Sequence, residues 1–344
     1  LGKLQRVCYN NSIMKNYIVF DLEWNQSANG KEKSIPHFPF EIIEIGAVKL
    51  NEAFQMTDEF HRLIRPQVYT QMHHAISEVT HMNMKELQKD GNLFPDAAAE
   101  FLSWCGEDAV FCTWGNMDLL ELQRNMDFYH MENPFPKPLF YYDVQKLYGL
   151  FCRDNARISL DSAVEEQQLM EARPFHRALD DAYYTGKLLT MLGNTPGPET
   201  ILPFLSVDYY RLPSNRKEEI RITFPGYSKY VSRVFDTKEE AMASKNVTEM
   251  MCYRCGRMLR KKVRWFTPNQ KTYFALALCP EHGFLKGKIR MKKVEDESVF
   301  VVKTLKLTDE EGAQAILQRK EDVRKKRAER NRAKRKQKRT KKLP

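Results

Sequence analysis

YIVFDLEWNQ, residues 17–26, begins as a core strand and then departs from one. Tyr17, Ile18, Val19 and Phe20 form an apolar, β-prone run suited to burial. Asp21 and Glu23 follow two residues apart, and strand alternation places both side chains on one face. Neighbouring carboxylates at the end of a buried strand repel each other unless something positive sits between them. A hard cation such as Mg²⁺ takes oxygen ligands of this kind. By itself D-x-E also suits a solvated acidic face, so its meaning depends on the rest of the chain.

The chain has 344 residues, 42% hydrophobic and 29% charged, enough for one large domain and a smaller one. No apolar run reaches the roughly 18–20 residues of a membrane span, and the start lacks the pattern of a secretion signal. We expect an intracellular, cytoplasmic protein with no membrane partner. Seven cysteines, an odd number, do not read as a secreted disulfide framework. Met14 opens MKNYIVFDLEW, so residues 1–14 are expected to be an N-terminal extension. The net charge of +10 is uneven: residues 319–344 hold 15 Lys or Arg against 3 Asp or Glu, net +12, leaving about −2 on the first 318 residues.

Strands are expected at 17–23, 41–50 and 58–64, in an antiparallel start. Helical periodicity follows at 94–105, 117–126, 159–166 and 177–192, separated by short segments at 109–114 and 138–143. This predicts an α/β domain over 15–193 with a mixed sheet flanked by helices. The run GNTPGPET, 193–200, reads as a helix stop and linker, extended to 215. EIRITF, KYVSRVF, KVRWF, KTYFALAL and SVFVVKTLKL then predict a small β-rich domain over 216–307. Thr308 and Glu311 suggest a capping box opening a basic helix or tail over 308–344.

Two further stretches bear on the acids. In FCTWGNMDLLELQRN, 111–125, an apolar strand ends near Trp114 and a helix begins near Asp118. Alone, Asp118 is a helix-start carboxylate complementing the macrodipole. In PFHRALDDAYYTGKLL, 174–189, His176 precedes Asp181 by five residues. That spacing expects the imidazole near the helix start and the carboxylate on the next turn, roughly 140° around the axis. Alone, these are a surface histidine and an acidic helix face.

The combination is more specific. D-x-E on the first strand, Asp118 on a middle helix and H-x4-D on the last helix resemble the DEDDh 3′-to-5′ exonucleases, the DnaQ-like branch of the ribonuclease H-like superfamily. The resemblance covers about residues 15–193, and no expected acid is missing. EIIEIGAVKL and TWGNMD look most like the group of histone-mRNA 3′-end, RNA-interference-enhancing and KapD-like exonucleases. ISEVTH, 76–81, stands where eukaryotic members of that group have a leucine-threonine-glycine turn.

The resemblance implies a two-metal hydrolysis of phosphodiester bonds using Mg²⁺ or Mn²⁺. Asp21, Glu23 and Asp181 would hold one ion, Asp21 would bridge to the second, and Asp118 would hold that one largely through water. His176 would deprotonate the attacking water, a role suited to an imidazole, whose ordinary pKa is about 6.5. Trp24 and Trp114 are candidate stacking faces for the terminal nucleotide, or core aromatics, and Leu22 is a candidate backbone contact.

Late in the chain, Cys252 and Cys255 form CYRCG, and Cys279 and His282 form CPEHG, with 23 residues between the pairs. Each pair has knuckle spacing, and Gly256 and Gly283 follow where a positive φ is easily adopted. Two such turns predict a structural Cys₃His zinc site rather than scattered thiols. KKVRWF, KTYF and KGKIRMKK interleave aromatics with cations, as either a nucleic-acid face or a lysine-protected sheet edge. The basic tail suits polyanions such as RNA, DNA or ribosomes. The expected activity is 3′-to-5′ exonucleolytic, with RNA preferred. A proofreading or repair type of DNA exonuclease is the alternative, and a non-catalytic nucleic-acid-binding or regulatory protein on the same scaffold is a third reading.

Overall fold

The computed structural model describes residues 16–30, 33–154, 156–269, 271–294 and 298–340, without the side chains of 333–340. The expected extension over 1–14 lies outside the described residues. The chain divides into two compact units, one ending at Arg211 and the other beginning at Leu212. No helix among the described residues is long and apolar enough to cross a membrane.

The first unit is α/β. Its elements in chain order are β1 (Asn16–Gln26), β2 (Phe40–Leu50), β3 (Met56–Leu63), α1 (His74–Thr80), α2 (Met84–Asp90), α3 (Phe94–Cys105), β4 (Ala109–Thr113), α4 (Met117–Phe128), β5 (Phe140–Asp143), α5 (Val144–Cys152), α6 (Leu160–Glu166), α7 (Ala178–Asn194), α8 (Pro198–Ile201) and β6 (Ser206–Val207). The sheet runs β3-β2-β1-β4-β5-β6. β1 pairs antiparallel with β2 and parallel with β4, so it lies at the centre of a mixed sheet. The apolar half of β1 is buried for that reason: Ile18, Val19 and Phe20 are inaccessible to solvent. Phe20 meets Phe101 of α3 and Phe111 of β4 with ring centroids 5.6 and 5.8 Å apart.

Residues 194–215, expected as a linker, are largely built into this unit. Ile201, Leu205 and Val207 are buried, and β6 pairs antiparallel with β5. The Gly and Pro residues after α7 mark the end of the helix; the chain then turns back and adds an edge strand. The departure at 76–81 is absorbed locally, because His81 itself takes the left-handed position that closes α1, with φ 57° and its N–H donated to Ser77 O.

The second unit contains β7 (Ile220–Thr223), β8 (Ser228–Val231), α9 (Lys238–Ala243), α10 (Lys245–Thr248), β9 (Lys261–Phe266), β10 (Thr272–Cys279), β11 (Gly283–Lys293), β12 (Val299–Thr308) and α11 (Glu310–Thr340). Its antiparallel sheet runs β7-β8-β12-β11-β10-β9. KGKIRMKK, expected as a nucleic-acid face or a lysine-protected sheet edge, forms most of β11, an interior strand between β12 and β10. Its alternation is nonetheless plain once paired: Leu285, Gly287, Ile289 and Met291 face inward, with cations between them. The helix cap also moves by one residue. Thr308 ends β12, and Asp309 accepts from Gly312 N at 2.8 Å, so Asp309 is the N-cap of α11.

α7 lies close against β1 and β2, and Gly46 makes this possible. A Cβ at that position would stand 2.0 Å from Leu179 N and 2.1 Å from Ala178 C, backbone atoms with nowhere to go. Gly46→Ala is therefore expected to destabilise the chain by about 3 kcal/mol or more, the upper range for overpacking. Gly226→Ala, which meets nothing within 4 Å, should be nearly neutral. Thermal unfolding of both variants checks this, and equal midpoints would contradict the packing account.

Candidate active site

The ladder between β1 and β4 ends at Val19 opposite Cys112, whereas β1 continues to Gln26 alongside β2. Beyond Val19 the β4-facing edge of β1 therefore needs other partners. β4 ends at Thr113, and the chain turns through Gly115, φ 111°, into α4. Asp118, in the first turn of α4, then supplies the missing acceptor: its Oδ1 takes the Leu22 N–H at 3.3 Å. One strand end and one helix start are thus joined through a carboxylate that is itself buried.

On the same stretch, Asp21 and Glu23 point to one face, and a carboxylate oxygen from each lies within 4.8 Å of an oxygen of Asp181 on α7. Just past Glu23 the register shifts. Glu23 pairs with Glu44 but Trp24 with Ile42, leaving Ile43 of β2 as the extra residue of a bulge. Such bulges bend a strand and re-aim the side chains around them.

What fixes Asp181 is the start of α7. Glu44 is almost fully buried in β2, where an unpaired carboxylate would be costly. It accepts from Arg177 Nη2 at 2.8 Å and from the Ala178 amide at 3.0 Å, and it lies 2.6 Å from His61 Nε2. Burial pushes the Glu44 carboxyl up, but His61, Arg177 and the Ala178 amide outweigh it and hold it below the usual range. Ala178 is the first residue of α7, so Glu44 occupies the N-terminal end of that helix, where negative charge is favoured.

His176, expected near the helix start, lies just before it. Arg177 is extended to reach Glu44, and His176 takes φ 66° before the N-cap. Its backbone N–H donates to both Asp181 oxygens at 3.3 Å, while its side chain is exposed. Backbone strain at an exposed histidine is the kind of feature that collects at functional sites.

The electrostatics of the cluster are severe. Burial first, and then Asp118, Asp181, Glu23 and Glu44, drive the Asp21 carboxyl well above its ordinary range. Burial with Asp181, Glu44 and Asp118 pushes Glu23 up to about 8, with Arg177 pulling the other way. Burial outweighs the hydrogen bonds to Asp118 and to Asp181 and pushes each up to about 7. Asp21, Glu23 and Asp181 keep part of their surface in solvent, so the cluster is open on one side. Acids crowded and raised in this way form a donor set suited to divalent cations, whose charge relieves the same repulsion.

The three substrate candidates are placed differently. Leu22 is buried and its amide is already engaged by Asp118. Trp24 is half-buried and packs on the core and on Phe40, ring centroids 5.6 Å apart. Trp114 packs on Tyr148 at 6.1 Å, and its Nε1 is buried without a hydrogen-bond partner among the described residues.

The sequence reading passed over the supporting residues. Besides Glu44, Glu41 is buried and accepts from the backbone N–H groups of Gln67, Val68 and Tyr69 and from Tyr129 Oη, fixing the loop after β3. Asn25 donates to Tyr69 O and Gln71 O and accepts from His73 N. The available signal was two glutamates inside the otherwise apolar strand FEIIEIGAVKL, where each needs a dedicated partner.

In the second unit, Cys252, Cys255, Cys279 and His282 converge, with their ligand atoms within 4.8 Å of one another. Gly256 and Gly283 have φ 71° and 81°, as the knuckle spacing expects. Cys279 and Gly283 close the β10–β11 hairpin, and Gly256 N donates to Cys252 O at 2.8 Å. Cys255 Sγ lies 3.7 Å from Cys279 Sγ, and His282 Nδ1 lies 3.7 and 3.6 Å from the Cys252 and Cys279 sulfurs. Ordinary zinc bond lengths give tetrahedral edges of about 3.8 Å between sulfurs and about 3.5 Å from sulfur to nitrogen, so this donor set suits zinc.

A family model for exonucleases, RNase_T, matches residues 18–189, half of the chain. The probable 3'-5' exonuclease KapD of Bacillus subtilis (strain 168) is 28% identical over 176 residues, covering 51% of this chain and 83% of KapD. The solved nuclease domain of 3'hExo, a DEDDh family member bound to rAMP, is 22% identical with TM-score 0.45, over 58% of this chain and 98% of that one. Exonuclease I of E. coli in complex with a dA16 oligonucleotide is 10% identical with TM-score 0.47, over 76% of this chain and 55% of that one. The matched segment holds Asp21, Glu23, Asp118, His176 and Asp181 together with the strands and helices that position them, and the chain belongs to the exonuclease family of the DEDDh type.

Proposed function

We propose that this protein is a metal-dependent 3′-to-5′ exonuclease that shortens nucleic acids from their 3′ ends, RNA in preference to DNA. The observation that carries the reading is the convergence of Asp21, Glu23 and Asp181, with Asp118 close enough to raise the Asp21 carboxyl. The preference for RNA is supported by the likeness of EIIEIGAVKL to RNA-directed members of the family.

In this reading Asp21, Glu23 and Asp181 would hold one Mg²⁺ or Mn²⁺, and Asp118 with Asp21 would serve a second. Such ions supply an activated water and neutralise charge on the attacking and leaving oxygens. The chain's own contribution is positioning and proton transfer. Glu44 holds the start of α7, the His176 amide orients the Asp181 carboxylate, and the exposed His176 ring takes a proton from the attacking water at a ring nitrogen. Trp24, directly after the acids and half-exposed, is the stacking face for the terminal nucleotide, with Trp114 and the Leu22 backbone as further contacts. Cys252, Cys255, Cys279 and His282 hold a structural zinc that fastens the Cys252–Gly256 turn to the β10–β11 hairpin.

The test uses matched 5′-labelled single-stranded RNA and DNA with Mg²⁺ or Mn²⁺. The wild-type chain should produce a ladder shortening from the 3′ end, faster on RNA. His176→Ala should slow it by about 10²–10⁴-fold, the usual worth of a positioned acid or base, and Asp21→Asn at least as much. Shortening that persists in Asp21→Asn contradicts the mechanism, faster cleavage of DNA favours the repair-type reading, and two intact strands favour a binding protein. For the second unit, elemental analysis should find one zinc per chain, and Cys252→Ser should lose the zinc and lower the melting temperature. An unchanged metal content and melting curve would remove the zinc from the account.

A further inference from the structure

The second unit carries a concave basic surface apart from its cysteine cluster. The β9–β10 loop at Thr267–Asn269, Phe274 of β10, Lys288 of β11 and one face of α11 enclose a groove of about 720 Å³. Its charged lining is Lys288, Arg319, Lys326, Arg327 and Arg330, with a single acid, Asp322. Asp322 is already engaged by Gln318 Nε2 at 2.9 Å. On α11 the groove residues Arg319, Val323, Lys326, Arg327 and Arg330 recur at i, i+4, i+7, i+8 and i+11, one stripe of a helix. Lys320, Arg324 and Lys325, from the same run, do not line it.

This geometry differs from that of a solvated charge run. Cations on a solvated face diverge; here they converge from a strand and a helix onto one concavity. Both walls are fixed. Ala313 and Ile316 of α11 are buried with Val263 and Leu276 of the sheet, and Arg327 Nη2 donates to Thr267 O at 3.0 Å. At the floor, the Arg319 guanidinium lies 4.5 Å from the Phe274 ring centroid and the Lys288 ammonium 6.0 Å from it. Burial and the neighbouring Arg290 and Arg319 lower the Lys288 ammonium, as expected of crowded cations.

We propose that this groove binds the backbone of a single-stranded nucleic acid, phosphates on the cations and a base stacked on the Arg319–Phe274 pair. A concave site does not suit a flat membrane, and a planar guanidinium held on an aromatic ring is the surface on which unpaired bases stack. The proposal rests on the exonuclease reading of the first unit for the nature of the strand, and it deepens that reading by giving the strand a second point of attachment.

Binding is measured on the full chain carrying Asp21→Asn, so that the outcome does not depend on cleavage. Fluorescence anisotropy follows a labelled single-stranded RNA, alone and against a triple variant, Lys326→Ala, Arg327→Ala and Arg330→Ala. The control triple is Lys320→Ala, Arg324→Ala and Lys325→Ala on the other faces of the same helix. Losing three phosphate contacts should weaken binding by about tenfold or more and flatten the salt dependence of log K by about 2. The control triple should change affinity less than about threefold. Phe274→Leu should weaken binding of the oligonucleotide but not of an abasic strand of equal length. Equal losses in both triples, or unchanged binding in the groove triple and in Arg319→Gln at an unchanged melting temperature, would overturn the proposal. So would polyglutamate competing as well as RNA. Groove binding in this chain, together with a wild-type chain that does not shorten RNA, would leave this inference standing while removing the exonuclease reading.

Discussion

The buried Glu44 carboxylate is the contact on which the geometry of the site depends. It stands in a central strand, where an uncompensated charge costs several kcal/mol, and it is compensated by the first amide of α7, by Arg177 and by His61. Because Glu44 pairs across the sheet with Glu23, the same contact brings the start of α7 over the end of β1. Gly46, two residues further along β2, lets the α7 backbone lie directly on the sheet. His176 and Asp181 flank this anchored turn, and their separation from Asp21 and Glu23 follows from it.

The site is therefore an arrangement of like charges held together by neutral packing and one compensated anion. Burial raises all four acids of the cluster, while Glu44, itself almost fully buried, is held low by its donors. The distinction separates two uses of a buried carboxylate. Glu44 is satisfied by the protein and serves as structure; Asp21, Glu23 and Asp181 lie together on the open side of the cluster, a donor set that suits a cation. Tight coupling of this kind, rather than any one residue, supports the reading of a two-metal hydrolase.

Much of this was legible in the chain. The alternation in YIVFDLEWNQ and the spacing of H-x4-D point to Asp21, Glu23, His176 and Asp181, Asp118 joins them through TWGNMD, and the two ligand-x2-ligand-Gly turns point to the cysteine cluster, because those signals are local. What escaped was non-local. Nothing near His176 announces that Glu44, more than 130 residues earlier, accepts from the first amide of the helix that follows. The stretch after α7 looked like a linker because its Gly and Pro residues carry a turn signal, whereas its pairing with β5 is a tertiary fact. β11 was missed because its inward residues alternate with lysines and arginines that dominate the composition. Trp24 and Trp114 read alike in the sequence as stacking faces or core aromatics, and that Phe40 and Tyr148 lie beside them is a tertiary fact.

The central claim is that the raised acids hold protons which divalent cations displace. With Glu23 near 8 and Asp118 and Asp181 near 7, the folded site binds more protons at pH 7 than ordinary carboxylates would. Calorimetric titration of Mn²⁺ into the chain at pH 7, in buffers of different ionisation enthalpy, measures those protons directly. The account predicts binding with net proton release, which shrinks as the pH is raised above 8 and is reduced in Asp21→Asn. Binding without proton exchange, or identical isotherms for the wild type and Asp21→Asn, would contradict it.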